Sequence, residues 1–569
     1  MPSLRAPDTS AAYLPVPPRA VPGGPLPAGT RYAYDADSLL LHSVLTLSDL
    51  LARVPGVYIA RGGFYGVPEP VAYGGRGAQG LEVYWDGVPF LPLGRDSVWL
   101  DPARIPLAPL ERIEVVILPA SLRVYLVSRR PDSTDPETDI GIQTGDANAG
   151  GYRGTFARRW RSGVGLALKA DLHATDGFAG TPTTEFRAND LWARLEYVPS
   201  PRYGATFQLG SVSWERDAGP AATGVDARDV VRNDQILSFF WQGRDDGLGP
   251  RVEAVAATSR TSSDTALAPD SGTPRTLASN AVYQTLFRAQ WTWPRASVQG
   301  AINFGVNRIP LTLDVAAAWT PHRLITLSAD ARRARYEGAR DGTRAHVAAG
   351  LNLPLGVSLR GDAAFGNDVS APSILADSAQ ETTDLSWAVR WDRPWLTLEG
   401  GGGRRDGFTA LGFAADLDPV ARIGPTPTTQ YMHAFASIRA VPGLTLSGWY
   451  FHPIAGGADF EPPHHARYAA TFHSKFWRKF RSGAFALRAE VAAESWSAVG
   501  AGLGGRDSTN AQLPLQSGTF VDTNLEVQLL SFTLYWTIRN VNLMKTGYVA
   551  DRPLRRSYQY YGARWTFRN

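Results

Sequence analysis

The chain has 569 residues, a formal net charge of +4 and no cysteine. The lack of cysteine excludes disulfides and thiolate metal sites, and so small a charge on so long a chain argues against nucleic acid as a partner. No apolar run reaches the roughly 18 uncharged residues of a transmembrane helix, which leaves open a transmembrane β-barrel, whose apolar face takes only every second residue.

Residues 1–37 are rich in proline, glycine and alanine, a composition that predicts an extended, mobile linker. This segment lacks the apolar stretch of a signal peptide, so for an exported protein we expect a leader that has been removed or lies upstream. Residues 38–137 are predicted to form a compact α+β domain, and residues 138–569 a single large all-β domain.

The α+β domain is predicted to begin with a helix over Leu47–Val54. Its leucines recur at helical spacing, Thr46 or Ser48 is placed to cap it, and Pro55-Gly56 ends it. Short strands separated by glycine turns are then expected; they are VYIAR, VAYGG, LEVYW, RIEVV and VYLVSR. Because the helix and these strands are short and closely spaced, they predict one small domain.

Strand candidates in residues 138–569 alternate apolar with polar or charged side chains. In Phe532–Arg539, for example, Phe532, Leu534 and Trp536 share one face while the polar residues share the other. Charged residues at the alternate position of otherwise apolar strands suit a wet interior and a lipid-facing exterior. This pattern predicts a transmembrane barrel.

Connections between these strand candidates alternate in length. Short ones such as 161–163 and 441–443 are interleaved with long ones such as 404–429 and 499–518. Outer-membrane barrels have this asymmetry, with the long loops outside the cell. Four tryptophans beside short turns are predicted to form an interfacial aromatic girdle; they are Trp293, Trp319, Trp391 and Trp395.

The number of strands follows from chain length. Residues 138–569 divide into about 22 antiparallel strands if each crossing uses about 9–11 residues and each connection a similar length. A barrel of that size has an open lumen that must be filled. We therefore expect the N-terminal α+β domain to lie inside it.

Five motifs of residues 45–130 resemble, in their order and spacing, the plug domain of TonB-dependent outer-membrane receptors. They are LSDLLARVPGVYI, GGRG (Gly74–Gly77), VYWDGVPF, IPLAPLERIEV and LPAS. The resemblance implies a cell outer-membrane protein whose plug fills a barrel of about 22 strands. It also implies that the plug and both chain ends of the barrel are periplasmic and that the long loops are extracellular.

The resemblance further implies a transporter that binds a scarce ligand and imports it to the periplasm. The ligand classes are a siderophore, cobalamin, an oligosaccharide or a peptide, and the partners are outer-membrane lipid and the TonB energising complex. Two departures keep an alternative open. LPASLRVYLVSRR lacks the glycine-rich stretch that usually follows this motif, and no TonB box is visible. The alternative is a plugged barrel that does not transport and serves as a scaffold, an adhesin or the partner of a surface lipoprotein.

Charged plug residues are implied, by the same resemblance, to lock the plug to the barrel wall through salt bridges. The plug-lock and gating candidates are Arg76, Gly77, Asp86, Gly87, Arg112 and Glu114. Asp86-Gly87 also has the composition of a tight turn, which is the simpler interpretation of that pair.

Loop aromatics and a histidine pair are the candidate ligand-binding residues. They are Phe178, Phe408, Phe413, Phe460, His464 and His465. The phenylalanines suit either a binding surface or a core within the loops. The histidines, beside Asp459 and Glu461, suit either a metal-chelate contact or a solvated loop. Because no HExxH, phosphate-loop or GxSxG motif occurs, the sequence predicts no catalytic residues, resident metal or cofactor.

Overall fold

A computed structural model describes most of the chain. The described residues are 24–35, 44–61, 66, 69–93, 100–177, 185–217, 227–266, 276–369, 378–410, 425–476, 479–480, 484–500, 513–550, 554 and 557–568. Within these ranges, no helix is both long and apolar enough to cross a membrane.

The N-terminal domain is a small sheet with one short helix. The helix, α1, is Leu47–Leu51, and the strands are β1 (Arg31–Asp35), β2 (Tyr58–Ile59), β3 (Val71–Ala72), β4 (Leu81–Trp85), β5 (Val88–Pro89), β6 (Leu110–Ile117) and β7 (Leu122–Ser128). Five strands form one sheet in the order β1-β6-β7-β4-β5, and β2 pairs with β3 alone. Among the described strands, only β4 and β7 pair in parallel.

The domain has its own apolar core. Leu47, Leu50 and Leu51 of α1 are buried against Ile113 and Leu122 of the sheet. The cluster continues into lumen-facing residues of the second domain; they are Ala157, Ala167 and Trp192. The small domain therefore packs against the inside of the barrel wall, as the sequence predicts.

The second domain is a closed antiparallel barrel of 22 strands, which confirms the predicted fold class. The strands are β8 (Glu137–Gly145), β9 (Gly150–Arg159), β10 (Val164–Thr175), β11 (Phe186–Ser200), β12 (Tyr203–Arg216), β13 (Ala227–Gln242), β14 (Gly249–Ala266), β15 (Thr276–Trp293), β16 (Ala296–Val306), β17 (Leu311–His322), β18 (Ile325–Tyr336), β19 (Arg340–Asn352), β20 (Val357–Asp368), β21 (Gln380–Arg393), β22 (Leu396–Arg405), β23 (Thr429–Val441), β24 (Leu444–Ala455), β25 (His465–Ser474), β26 (Phe485–Trp496), β27 (Gly518–Leu529), β28 (Phe532–Arg539) and β29 (Tyr558–Arg568). β29 pairs with β8 and closes the barrel.

Side chains alternate along each barrel strand between the outer, lipid-facing surface and the lumen. In β28, Leu534 and Trp536 are exposed on the outer surface, whereas Thr533, Tyr535 and Thr537 are buried toward the lumen. This is the alternation that the sequence predicts for a lipid-facing exterior and a polar interior.

The two ends of the barrel differ in their connections. One end has mostly two- to six-residue connections, such as 201–202 between β11 and β12, and the other carries the long 406–428 and 497–517. We call these the turn end and the loop end. The four tryptophans predicted for a girdle are exposed, and they lie at the turn end.

Two predicted boundaries differ from the structure. β1, inside the predicted linker 1–37, pairs with β6 and belongs to the small domain, because Tyr32 and Tyr34 pack on its core. The helix ends at Leu51 rather than Val54, since Arg53 and Val54 donate to carbonyls three residues back and so continue as tight turns. The first difference depends on a long-range strand pairing that composition does not record, whereas the second is local to the end of the helix.

Candidate functional site

The turn between β4 and β5 contacts the barrel wall. Asp86 and Gly87 both have positive φ, at 47° and 81°, as a type I′ turn requires, so the turn predicted from this pair is present. The Asp86 carboxylate accepts from the Arg194 guanidinium at 3.3 Å and from the Gln208 amide. The Gly87 carbonyl accepts from Arg288 at 2.8 Å. The turn is therefore also a plug–wall contact.

Arg76 contacts the wall on the side of the lumen opposite the strands that the Asp86-Gly87 turn contacts. Its guanidinium forms an ion pair with Asp384 of β21, and the two side chains are only 5% and 6% exposed. The same guanidinium lies 4.9 Å from the ring centre of Phe408, in the connection that follows β22. One plug side chain thus joins the plug, the wall and a loop-end segment. Gly77, beside it, has φ of 57° and begins the 3-10 turn Gly77–Gly80.

A second buried charge, Glu82 of β4, makes more plug–wall ion pairs than any residue that the sequence singles out. Its carboxylate lies 2.5 Å from Arg344 and 3.3 Å from Arg332, both on the wall, and 3.5 Å from Arg123 of β7. Burial raises the pKa of Glu82, but these guanidinium groups outweigh it and hold that pKa well below its ordinary value. Arg123 continues the network to Asp330 of the wall at 2.8 Å.

A third group of charges surrounds α1. Asp49 accepts from Arg539 of β28 through both carboxylate oxygens, at 2.9 and 2.8 Å, and from Arg61 at 2.9 Å. Burial raises the pKa of Asp49, yet the two arginines hold it far below its ordinary value. One turn along, Arg53 pairs with Glu490 of the wall at 3.1 Å.

Among the described residues, the ion pairs of Arg112 and Glu114 lie within the plug and not between the plug and the wall. In the described residues Arg112 pairs with Glu114 at 2.7 Å, and Glu114 also pairs with Arg31 of β1 at 3.4 Å. The reason is that β1 lies beside β6 and supplies a nearer charge. These pairs join two strands of the plug, so any effect on gating stays a prediction.

The loop aromatics separate into two groups. Phe408 and Phe460 are buried in one cluster with Tyr58 of the plug and with Trp496 and Phe520 of the wall. They therefore take the loop-core role that the sequence left open. Phe178 and Phe413 lie outside the described residues.

The two histidines face different environments. His465 is buried, with Nε2 at 3.0 Å from Glu494 and its ring edge-on to Trp449 at 4.6 Å. His464 is exposed and stacks on His452 at 4.5 Å. Among the described residues, no three His, Cys, Asp or Glu side chains are grouped to hold a metal ion.

A cavity of about 260 Å³ lies between the plug and the wall at the loop end. Plug residues 44–46, 49, 61, 66, 69 and 103–107 form one side, and strands β8–β12, β28 and β29 form most of the other. A smaller cavity of about 90 Å³ lies beyond Arg104, whose guanidinium stacks over Phe186 at 4.5 Å and Trp214 at 5.1 Å. Arg104 lines both cavities, as do Ile105, Pro106, Asp190, Val212 and Trp214.

Sequence reasoning missed Asp49, Glu82, Arg104 and Arg123. A usable signal existed for Glu82 and Arg123, since each is a charged residue within an otherwise apolar plug strand. No local signal identifies their partners on the wall, which are more than 200 residues away in the chain.

Comparisons with known proteins agree with this architecture. Residues 28–125 match the family model for the TonB-dependent receptor plug domain. No curated protein sequence matches the chain.

Solved structures share the fold at low sequence identity. A mutant of the ferric enterobactin receptor PfeA from Pseudomonas aeruginosa is 12% identical, with a TM-score of 0.72 over 95% of this chain and 98% of that one. The FrpB iron transporter from Neisseria meningitidis is 9% identical, with a TM-score of 0.74 over 95% and 99%. The copper transporter OprC is 12% identical, with a TM-score of 0.74 over 97% and 100%. These names describe receptors and transporters rather than enzymes.

Proposed function

We propose that this chain, which belongs to the TonB-dependent receptors by its plug domain and 22-stranded barrel, binds a scarce ligand at the loop end and imports it to the periplasm. The proposal places it in the cell outer membrane with the loop end outside. The plug and the turn end, where the barrel's first strand begins and its last strand ends, then face the periplasm.

The observation that carries this proposal is the nature of the plug–wall contact. Three separate groups of ion pairs, around Asp49, Arg76 and Glu82, hold the plug, and a cavity of about 260 Å³ interrupts the contact. Polar interfaces between domains permit relative motion more readily than large apolar ones. A plug held in this way is suited to rearrange as a unit when it is pulled.

Arg104 is positioned to control passage along this side of the plug. It lines both cavities, and its guanidinium is held by two aromatic rings and by Asp101 at 3.5 Å. Guanidinium and aromatic groups together suit a ligand with anionic oxygens and flat apolar parts, as in many metal chelates.

A ferric chelate is the first ligand class to test, because two of the compared structures are named for iron ligands. Cobalamin, an oligosaccharide or a peptide is the next choice. Energised import would require the TonB complex, and a small ligand is the expected partner.

The test is uptake by cells with and without the gene. Labelled ferric chelates are supplied, and a strain lacking the TonB complex is compared. Import should need both the receptor and the energising complex, and Arg104→Leu should slow it. The matched control is Arg187→Leu, which removes an exposed arginine outside this interface.

Binding without import in either strain would instead support the scaffold or adhesin alternative. Import that continues unchanged without the energising complex would reject energised transport.

A further inference from the structure

The outer surface of β17–β21 contains an apolar groove of about 660 Å³. Its floor is made of small outward-facing residues; they are Ala317, Ala329, Ala349, Gly361 and Ala363. Its rim is made of larger ones; they are Trp319, Leu327, Val347 and Leu385. The pairing register brings these residues together, since Ala317 faces Ala329 and Ala349 faces Gly361 across neighbouring strands.

Two arginines lie on the same outer face, toward the loop end of β18. Arg333 pairs across the sheet with Leu313, and Arg335 with Leu311. Leu313 is exposed on the outer surface, so the alternation places both guanidinium groups there as well. Each arginine side chain is 63% exposed. Arg333 lies four positions after Ala329 of the groove, and this spacing corresponds to about 13 Å along the strand.

Charged side chains on the lipid face are costly within the hydrocarbon layer and tolerated at its boundary. Arg333 and Arg335 therefore mark the level of the headgroups. Their described ion-pair partner, Asp341, lies 3.7 and 3.8 Å away, beyond ordinary hydrogen-bond distance. The two guanidinium groups thus retain N–H donors for a further anion.

We propose that this face binds a phosphorylated glycolipid of the outer leaflet. A phosphate lies on Arg333 and Arg335, and an acyl chain descends past Ala331 into the groove. The two arginines are about 6.6 Å apart along one strand face, a spacing that lets both donate to one phosphate. The opposite charge of the headgroup and the apolar continuity below it favour this occupant over a protein partner. The inference rests on the proposed orientation, with the loop end outside.

The experiment is native mass spectrometry of the full chain in a neutral detergent, titrated with lipid A, a bisphosphorylated acylated disaccharide. The same lipid without its phosphates and phosphatidylcholine are run in parallel. The Arg333→Gln/Arg335→Gln double variant removes the headgroup contact. Its control is Arg187→Gln/Arg260→Gln, which removes two other exposed arginines of β11 and β14.

A second pair of variants tests the groove. A Cβ at Gly361 meets nothing within 4 Å, so Gly361→Leu is expected to place its side chain in the groove without a clash at the backbone. Gly300→Leu is the control, because Gly300 of β16 is equally open and lies outside the groove.

One lipid A should bind per chain, and binding should weaken by about tenfold or more in the double arginine variant. Loss of the phosphates or Gly361→Leu should weaken it too, whereas both controls should bind like the unaltered chain. Equal binding by all variants, preference for phosphatidylcholine, or a dimer seated on this face would overturn the proposal. Because the assay contains no transported ligand, its failure leaves the uptake experiment to be judged separately.

Discussion

Breaking the Arg76–Asp384 ion pair should loosen the plug more than breaking any exposed pair of the same kind. Arg76→Gln removes the guanidinium but keeps a polar side chain of similar length. The Asp384 carboxylate then stays buried with only the Asp406 amide, at 3.0 Å, as a described hydrogen-bond donor. The contact of the guanidinium with the Phe408 ring is lost as well.

The expected loss in free energy follows from the burial of the Arg76–Asp384 pair. Removing one partner of a buried ion pair typically costs about 3–5 kcal/mol. The remaining amide donor places this case near the lower value, and about 3 kcal/mol corresponds to a roughly 150-fold larger population of the opened plug. Arg76→Gln/Asp384→Asn leaves no buried charge unpaired, so it should recover most of the loss.

The assay is hydrogen exchange of plug amides in the folded full-length chain, which reports the free energy of local opening. Arg202→Gln is the control, since its pair with Asp245 at 2.8 Å is 56% and 61% exposed and should contribute under about 1 kcal/mol. If Arg76→Gln exchanges no faster than Arg202→Gln, or if the double variant is no better than the single one, the locking argument is refuted.

Four further outcomes are expected, the first three from the same exchange measurement and the last from thermal melting. Glu82→Gln leaves three guanidinium groups around a neutral amide and should cost about 3 kcal/mol; exchange as slow as in the unaltered plug would contradict this. Burial raises the pKa of Asp101 to about 6, so the plug should lose stability as pH rises from about 4 to 6, and Asp101→Asn should remove that slope. Asp49, whose pKa is lowered, contributes above its ordinary pKa of 3.8 and should lose its contribution as pH falls below that value. At Gly74, φ is 68° and a Cβ would lie 2.3 Å from the carbonyl oxygen of residue 120, so Gly74→Ala should destabilise the plug. Gly75→Ala should destabilise it less, because a Cβ at Gly75 meets nothing nearer than 3.8 Å. Equal melting temperatures of the two variants would contradict this.

Features with a short repeat were predictable from the chain alone. Alternation along a strand records which side faces lipid, because neighbouring side chains must point to opposite faces of a sheet. The length of the crossings then leads to about 22 strands, and the closed barrel has 22. The Asp86-Gly87 turn was predictable for the same reason, since its positive φ angles are a property of two adjacent residues.

The contacts between plug and wall were decided only by tertiary structure. Arg112 looks, in sequence, as able to reach the wall as Arg76 does, yet it pairs within the plug while Arg76 pairs with Asp384. Glu82 stands out as the charge of an otherwise apolar strand, but nothing in the sequence identifies the three arginines that surround it. The physical reason is that the rotation of the plug within the barrel, set by packing over the whole interface, determines which charges meet. Local sequence pattern therefore determined the barrel and the existence of its plug. Closure of the barrel around the plug determined which charges of the plug and the wall form ion pairs.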